Sequence, residues 1–366
     1  MSLLPFLKEL LSAPGLSGYE DPAAEIIERQ WKPLVDEIQR SRLGSLHGLR
    51  KGSGKNPRPS VMVCTHMDAI GLMVTGVADG FLRVTGVGGV DARVLPGQSV
   101  TVHATGAAGP RNLPAVVAQP SSRLLPPDIG ENPVPLGNLF VDTGLPPRQV
   151  TGLVQVGDVV SFAQPPIELP DEVIAGHTLD NRASVAALTV CLEELQARPH
   201  VWDVWAAATE QEETGLLGAA TSAFGLRPTI ALAVDVTWAK GPGASDWSTF
   251  PLGKGPTIAM GPNIHPALYK AMKSLADRLE IPYAQEYTPS HSGTDGYATQ
   301  ATAEGIPTLV LGLPLRYMHT PVEMVALKDI QRCGRLLAEF ITGLEPDFMD
   351  KIVWEEAKSG EVRSKK

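Results

Sequence analysis

The stretch VWDVWAAATEQEETGLLGA, residues 201–219, decides how the chain is read. Its first half, VWDVWAAA, is strongly apolar and reads as a buried strand. Its second half presents Glu210, Glu212 and Glu213, then a glycine-rich turn. Ionised carboxylates are costly to take out of water. A chain that leaves a buried strand with this much negative charge must pair that charge or bind something with it.

Similar pieces lie to either side. SVMVCTH (60–66), TIALAVD (229–235) and IPTLVLGL (306–313) read as further strands. DNRASVAALTVCLEELQ (180–196) has apolar residues at spacings of three and four and reads as a helix. HPALYKAMKSLADRLE (265–280) reads as an amphipathic helix and VALKDIQRCGRLLAEFI (325–341) as the last one. Strands alternating with helices predict a mostly parallel sheet covered on both faces.

Between about residue 69 and residue 164 the pattern changes. IGLMVTGV, FLRVTGV, SVTVHA and VVSFA are short β-type runs, separated by Gly- and Pro-rich pieces such as GVGGVDARVLPGQ and LPPDIGENPVPLG. Short strands at this spacing predict a small β-barrel-like module. The expected fold class is α/β, a mostly parallel sheet sandwiched by helices, with a β-rich insertion. Residues 1–66 and 167–366 would form the α/β domain and residues 67–166 the insertion. At the start, MSLLPFLKELLSAPG reads as a short amphipathic helix, not a signal peptide, and Asp21–Pro22 as the start of the next helix. The polar tail EEAKSGEVRSKK reads as a fraying end.

The 366 residues are 43% hydrophobic and 19% charged, an ordinary globular composition long enough for two domains. A net charge of −9 argues against nucleic acid as a partner. No apolar run approaches the roughly 20 residues a membrane helix needs. Cys64, Cys191 and Cys333 are odd in number, widely spaced and set among apolar residues. They read as reduced core residues of a cytoplasmic protein, not as a disulfide framework or a thiolate metal site.

The chemistry lies just past the end of each strand. His66 and Asp68 end the first in THMD, and Glu210, Glu212 and Glu213 come directly after the second. Asp235 ends the third, His319 sits in the loop after the fourth, and Asp180 opens a helix. Each alone has a plain reading: a strand-end histidine, a solvated acidic loop, a helix N-cap at Asp180. Together they fall at the carboxyl ends of the strands, where open α/β sheets bind ligands. Histidines with several carboxylates suit Zn²⁺, Co²⁺ or Mn²⁺, and two such ions about 3.5–4 Å apart form the usual hydrolytic pair.

Taken together, the motifs resemble the M42 family of dinuclear metallo-aminopeptidases, the glutamyl aminopeptidase or TET-type enzymes. PGLSGYE (14–20), THMDAIGLMV (65–74), VGDVVSF (156–162), AGHTLDNR (175–182), EQEETGLLGA (210–219), AVDVT (233–237), HSGTDGYATQ (291–300) and RYMHTPVE (316–323) carry the resemblance over nearly the whole chain. The resemblance implies two divalent metal ions per subunit, zinc or cobalt. His66 and Asp235 would hold one, Glu213 and His319 the other, and Asp180 would bridge them. Glu212 matches the general base and Asp68 the acid that orients His66. The Asp180–Asn181 bond is expected to be cis. The implied activity is removal of N-terminal residues from peptides, by a water between the ions that Glu212 deprotonates. The insertion is expected to mediate dimers, and family members commonly build twelve-subunit shells, with the loop GVGGVDARVLPGQ as a candidate contributor to a neighbouring site. His291 reads as a core or loop residue or a substrate contact; Thr294 and Asp295 read as structural or substrate-positioning, and Arg316 and Tyr317 as holding the His319 loop.

Other classes stay open at this point. Related folds share the ligand set, so a metallo-deacylase or a carboxypeptidase on another amide is the alternative. A non-catalytic assembly protein is disfavoured because the ligand positions and Glu212 are intact. A glycosidase is disfavoured by an aromatic content of 5%.

Overall fold

The computed structural model describes residues 3–351 apart from 108, 128, 130 and 131. The polar tail expected to fray lies outside the described residues. The chain opens with α1 (Leu3–Ser12), α2 (Asp21–Trp31), β1 (Glu37–Arg40), β2 (Leu46–Arg50) and β3 (Ser60–His66). It continues with β4 (Gly71–Ala78), β5 (Phe81–Val87), β6 (Ser99–Ala104), β7 (Arg111–Ala118), β8 (Phe140–Asp142), α3 (Pro147–Leu153) and β9 (Val159–Phe162). Then come β10 (Ile167–Leu169), β11 (Val173–Gly176), α4 (Leu179–Leu195), β12 (Asp203–Thr209), α5 (Leu217–Leu226) and β13 (Ile230–Trp238). The last part holds β14 (Thr257–Met260), α6 (Pro266–Arg278), β15 (Ala284–Tyr287), α7 (Asp295–Gln300), β16 (Thr308–Arg316), β17 (Glu323–Ala326) and α8 (Leu327–Thr342).

The apolar run VWDVWAAA forms β12, buried along its last four residues. It pairs in parallel with β3, β3 with β13, and β13 with β16. These strands form the parallel centre expected from the βα alternation. The flanks are antiparallel, β1–β2–β12 on one side and β16–β17–β11–β10 on the other, so the whole 11-stranded sheet is mixed. Ser41–Ser45 and the residues between Leu169 and Val173 are too short for a crossover, so β1–β2 and β10–β11 can only be hairpins.

The helices cover the sheet by their apolar faces. Helix α1 buries Phe6, Leu7, Leu10 and Leu11, one stripe of an amphipathic turn. Helix α4 is buried on nearly every side, its polar residues Arg182, Ser184 and Thr189 included. Helix α8 starts two residues later than the sequence pattern suggests, because Val325 and Ala326 belong to β17. A four-residue strand running into a helix has no periodicity of its own to betray it.

Strands β4 to β9 close into a separate six-stranded barrel in the order β4-β5-β8-β7-β6-β9. Leu72, Leu82, Val102, Val117 and Val141 are among the residues of its own core. Strand β7 is not evident in the sequence because Pro114, paired opposite Thr101, argues against a strand. All three cysteines are free and buried. No helix among the described residues is long and apolar enough to cross a membrane.

Helices α4 and α8 cross at Gly334. A Cβ there would stand 2.5 Å from the Ala187 carbonyl oxygen and 2.6 Å from the Val190 Cβ. Gly334→Ala is therefore expected to lower stability by about 1–3 kcal/mol through overpacking. The measurement is urea unfolding, with the midpoint falling at unchanged m-value.

Candidate metal centre

The register of the parallel strands gathers the acids and histidines. Thr209 lies opposite His66, so the glutamates after β12 emerge beside that histidine. Ala233 lies opposite Cys64, which puts Asp235 level with His66 on the other side. Strand β16 runs on beside β13 to Arg316 and delivers His319 in the next loop.

Asp180 stands at the middle. Its Oδ1 is 3.2 Å from His66 Nε2 and its Oδ2 is 3.3 Å from His319 Nε2. On one side, His66 Nε2 is 3.6 Å from Asp235 Oδ1 and 3.8 Å from Glu212 Oε2. On the other, His319 Nε2 is 3.5 Å from Glu213 Oε2. The two clusters His66–Glu212–Asp235 and Asp180–Glu213–His319 each bring their ligand atoms within 4.8 Å of one another. Residues Asp180 and Asn181 leave helical geometry inside α4, and their bond is cis. The Asp180 side chain is turned to the histidines.

Asp68, fully buried, is the brace on one side. Its Oδ1 is 3.3 Å from His66 Nδ1, and its backbone carbonyl oxygen, also at 3.3 Å, is the hydrogen-bond partner of that nitrogen. The same carboxylate accepts from the backbone N–H groups of Glu212 (3.0 Å) and Glu213 (3.1 Å) and from the Ser17 hydroxyl. One residue thus fixes the histidine ring and the loop bearing both glutamates. Ser17 and Glu20 account for the PGLSGYE motif, since Glu20 accepts from Gly18 N–H at 2.7 Å and Gln211 N–H at 3.1 Å.

Glu323 is the brace on the other side, and sequence reasoning did not single it out. Its Oε2 accepts from Asp180 N–H at 3.0 Å and its Oε1 from His319 N–H at 2.9 Å. Its place four residues after His319 in RYMHTPVE was the available signal. Glu210 was grouped with its neighbours in the sequence, but it turns away from the cluster. It packs where Gly44 leaves room, since a Cβ on Gly44 would lie 2.6 Å from Glu210 Oε2. Burial, with Glu20 nearby, pushes its pKa up to about 7.

The remaining candidates divide. Asp295 is buried and accepts from the Thr209 hydroxyl, while Thr294 caps α7 by accepting from Gly296 N–H. His291 is exposed at the cleft mouth, 5.4 Å from the Tyr297 ring. Arg316 donates to the Lys240 carbonyl, and Tyr317 and His319 both hold left-handed φ values of 59° and 63°. Such values in bulky residues are uncommon and mark a loop held in place by its surroundings. Gly88 and Gly89 of the GVGGVDARVLPGQ loop lie against Glu213 and His319 of the same chain; a Cβ on Gly89 would come 2.7 Å from His319 Nδ1.

The electrostatics are lopsided. Burial opposes a charge on His66, but Glu212, Asp180, Asp235 and Asp68 outweigh it and hold the imidazole well above its usual pKa. Asp180, despite burial, is held low by the two histidines. Burial pushes Glu212, Glu213 and Asp235 up, and neighbouring carboxylates add to the effect. A cleft of about 660 Å³ opens beside the cluster, and no lysine or arginine lines it among the described residues.

The family of M42 glutamyl aminopeptidases matches residues 44–336. The chain belongs to the M42 aminopeptidase family. It is 33% identical over 344 residues to the lysyl aminopeptidase of Pyrococcus furiosus, covering 93% of this chain and 97% of that one. The fold matches a TET aminopeptidase from a marine sediment archaeon, Thaumarchaeota archaeon SCGC AB-539-E09, at a TM-score of 0.89 and 27% identity, over 96% of this chain and 99% of the other. It also matches the TET1 peptidase of Pyrococcus horikoshii, described as assembling into a tetrahedron or a large octahedral shell, at a TM-score of 0.80 and 29% identity, over 94% and 100% of the two chains. The M42 chain is thus a hydrolase of the aminopeptidase class.

The raised pKa values of Glu212, Glu213 and His66 set the pH behaviour without metal. For groups raised in the folded state, the folded chain holds protons that the unfolded chain has lost, so stability falls as pH rises. The EDTA-treated protein should lose melting temperature steadily from about pH 5 to pH 8. Added Zn²⁺ or Co²⁺, which replaces those protons, should raise the melting temperature most at the upper end. Parallel melts with and without metal across that range check both signs.

Proposed function

We propose that this M42 chain removes N-terminal residues from peptides at a centre of two divalent cations, zinc or cobalt. His66 and Asp235 would hold one, Glu213 and His319 the other, with Asp180 shared. The supporting observation is the Asp180 carboxylate, whose two oxygens each face a different histidine at near-equal distance. The donors are all imidazole and carboxylate, the set that suits borderline cations, and the crowded acids lack enough positive charge of their own. The residues present therefore fit the pair.

When bound, the cations would lower the pKa of the attacking water and supply positive charge to polarise the scissile carbonyl. The chain's own groups do the rest. Glu212 is at the cleft, beside His66, and receives the water's proton and passes it to the departing amine. Asp68 keeps the Nδ1 side of His66 occupied, which turns Nε2 toward the ligand cluster. Glu323 holds Asp180 and His319 in mutual register through their backbones. The acidic cleft favours a substrate's free ammonium group, which selects an exposed N-terminus over an internal bond.

We read residues 1–66 and 167–366 as the catalytic unit and the insertion, residues 67–166, as the part that joins copies of the chain into dimers or larger shells. The assembly described for the TET1 peptidase supports self-association. The three free, buried thiols fit a reducing compartment such as the cytoplasm.

The test is a panel of aminoacyl-p-nitroanilides, their N-acetylated forms, acyl amino acids and C-terminal peptide substrates, run after EDTA with and without Co²⁺ or Zn²⁺. Metal-restored cleavage confined to free-amine substrates is expected. Cleavage confined to acyl amino acids or to C-termini would replace the reading by a deacylase or a carboxypeptidase. Glu212→Gln should keep metal and lose about 10²–10⁴-fold in kcat, the usual range for a general base. Asp180→Ala should lose metal as well as activity, measured by elemental analysis of the purified variant.

A further inference from the structure

Past the carboxylate cluster, the cleft runs along β13 to the side chain of Glu286 on β15. Glu286 is half-buried and lies outside the proposed ligand set. Thr237 Oγ1 donates to its Oε1 at 2.7 Å and Thr257 Oγ1 to its Oε2 at 2.5 Å. A carboxylate oxygen has about two acceptor positions, so each keeps one open. Both donors are neutral, and among the described residues no cationic side chain acts on Glu286.

We propose that Glu286 selects the first side chain of the substrate, and that it selects a basic one, lysine or arginine. The inference rests on the aminopeptidase reading and adds the substrate class. Three features carry it. Small residues keep the space open: Ala259 and Gly312 line the cleft, and a Cβ on Gly312 would meet Thr257 Oγ1 at 2.3 Å and Glu286 Oε2 at 2.9 Å. The span fits as well. Asp235 and Thr237 share a face of β13 two residues apart, which sets the Thr237–Glu286 pair about 7 Å along the strand from the cluster. That is the reach of a four-carbon ammonium side chain whose α-amino group sits at the cluster.

The third feature is charge. An acidic side chain would meet Glu286 as a like charge. An apolar one would cover the carboxylate with no charged partner, at a desolvation cost. A lysine or arginine side chain fills the open acceptor positions and neutralises the group. Burial makes an unpaired charge on Glu286 costly, and a cation entering the cleft relieves that cost.

The experiment compares kcat/KM for lysyl-, arginyl-, leucyl- and glutamyl-p-nitroanilide in the metal-loaded wild type and in Glu286→Gln. The wild type is expected to favour the basic substrates, and the lysyl-to-leucyl ratio to fall on the order of 100-fold in the variant. A second readout needs no turnover: calorimetry should show free L-lysine binding more tightly than L-norleucine, and the difference lost in Glu286→Gln. If that variant fails to fold, Glu286→Asp withdraws the charge by one methylene and should lower the ratio about tenfold. A wild type that favours leucyl or glutamyl substrates, or a folded variant with an unchanged ratio, overturns the inference alone. A wild type that binds metal yet cleaves no free-amine substrate overturns the aminopeptidase reading and this inference with it.

Discussion

One carboxylate between two histidines organises this protein. Asp180 faces His66 with one oxygen and His319 with the other, and the surrounding structure serves to hold that arrangement. Two further buried acids do most of the holding. Asp68 ties the His66 ring to the backbone of Glu212 and Glu213. Glu323 ties the backbone of Asp180 to that of His319. Each acid joins segments far apart in sequence, so the site forms only when the sheet does.

The same arrangement is a burden on the metal-free fold. Like charges are packed where water is scarce, and Glu212, Glu213 and Asp235 are all driven toward their protonated forms by burial. The stability that tolerates this comes from elsewhere, chiefly from the apolar layers on either side of the sheet, where α4 is buried almost throughout. Such local cost at a functional site, offset by a well-packed surround, is a common division of labour. Cations bound at the centre would convert the burden into binding energy, because they replace protons and bring the charge that the acids lack.

Much of this was legible in the sequence, for physical reasons. Buried parallel strands are near-continuous apolar runs, so β3, β12, β13 and β16 announced themselves, and the residues just after them had to share one edge. His66, Asp235, His319 and the Glu212–Glu213 pair were found that way, and Asp180 from the opening of the α4 helix pattern. Side-chain direction could not be read. Glu210 sits two positions before Glu212 but points to the far side, into the space left by Gly44. Glu323 and Glu286 were not singled out, because their roles depend on partners such as His319 N–H or Thr257 that only the folded register brings near. Strand β7 was hidden by Pro114, and β17 by its brevity.

The most direct measurement of the central claim is a crystal of the protein loaded with Zn²⁺ or Co²⁺, with diffraction recorded on both sides of the metal absorption edge. The account predicts two anomalous peaks per chain, one beside each oxygen of Asp180, the first within bonding distance of His66 and Asp235 and the second of Glu213 and His319. A single peak, or peaks that leave Asp180 uncoordinated, would contradict it.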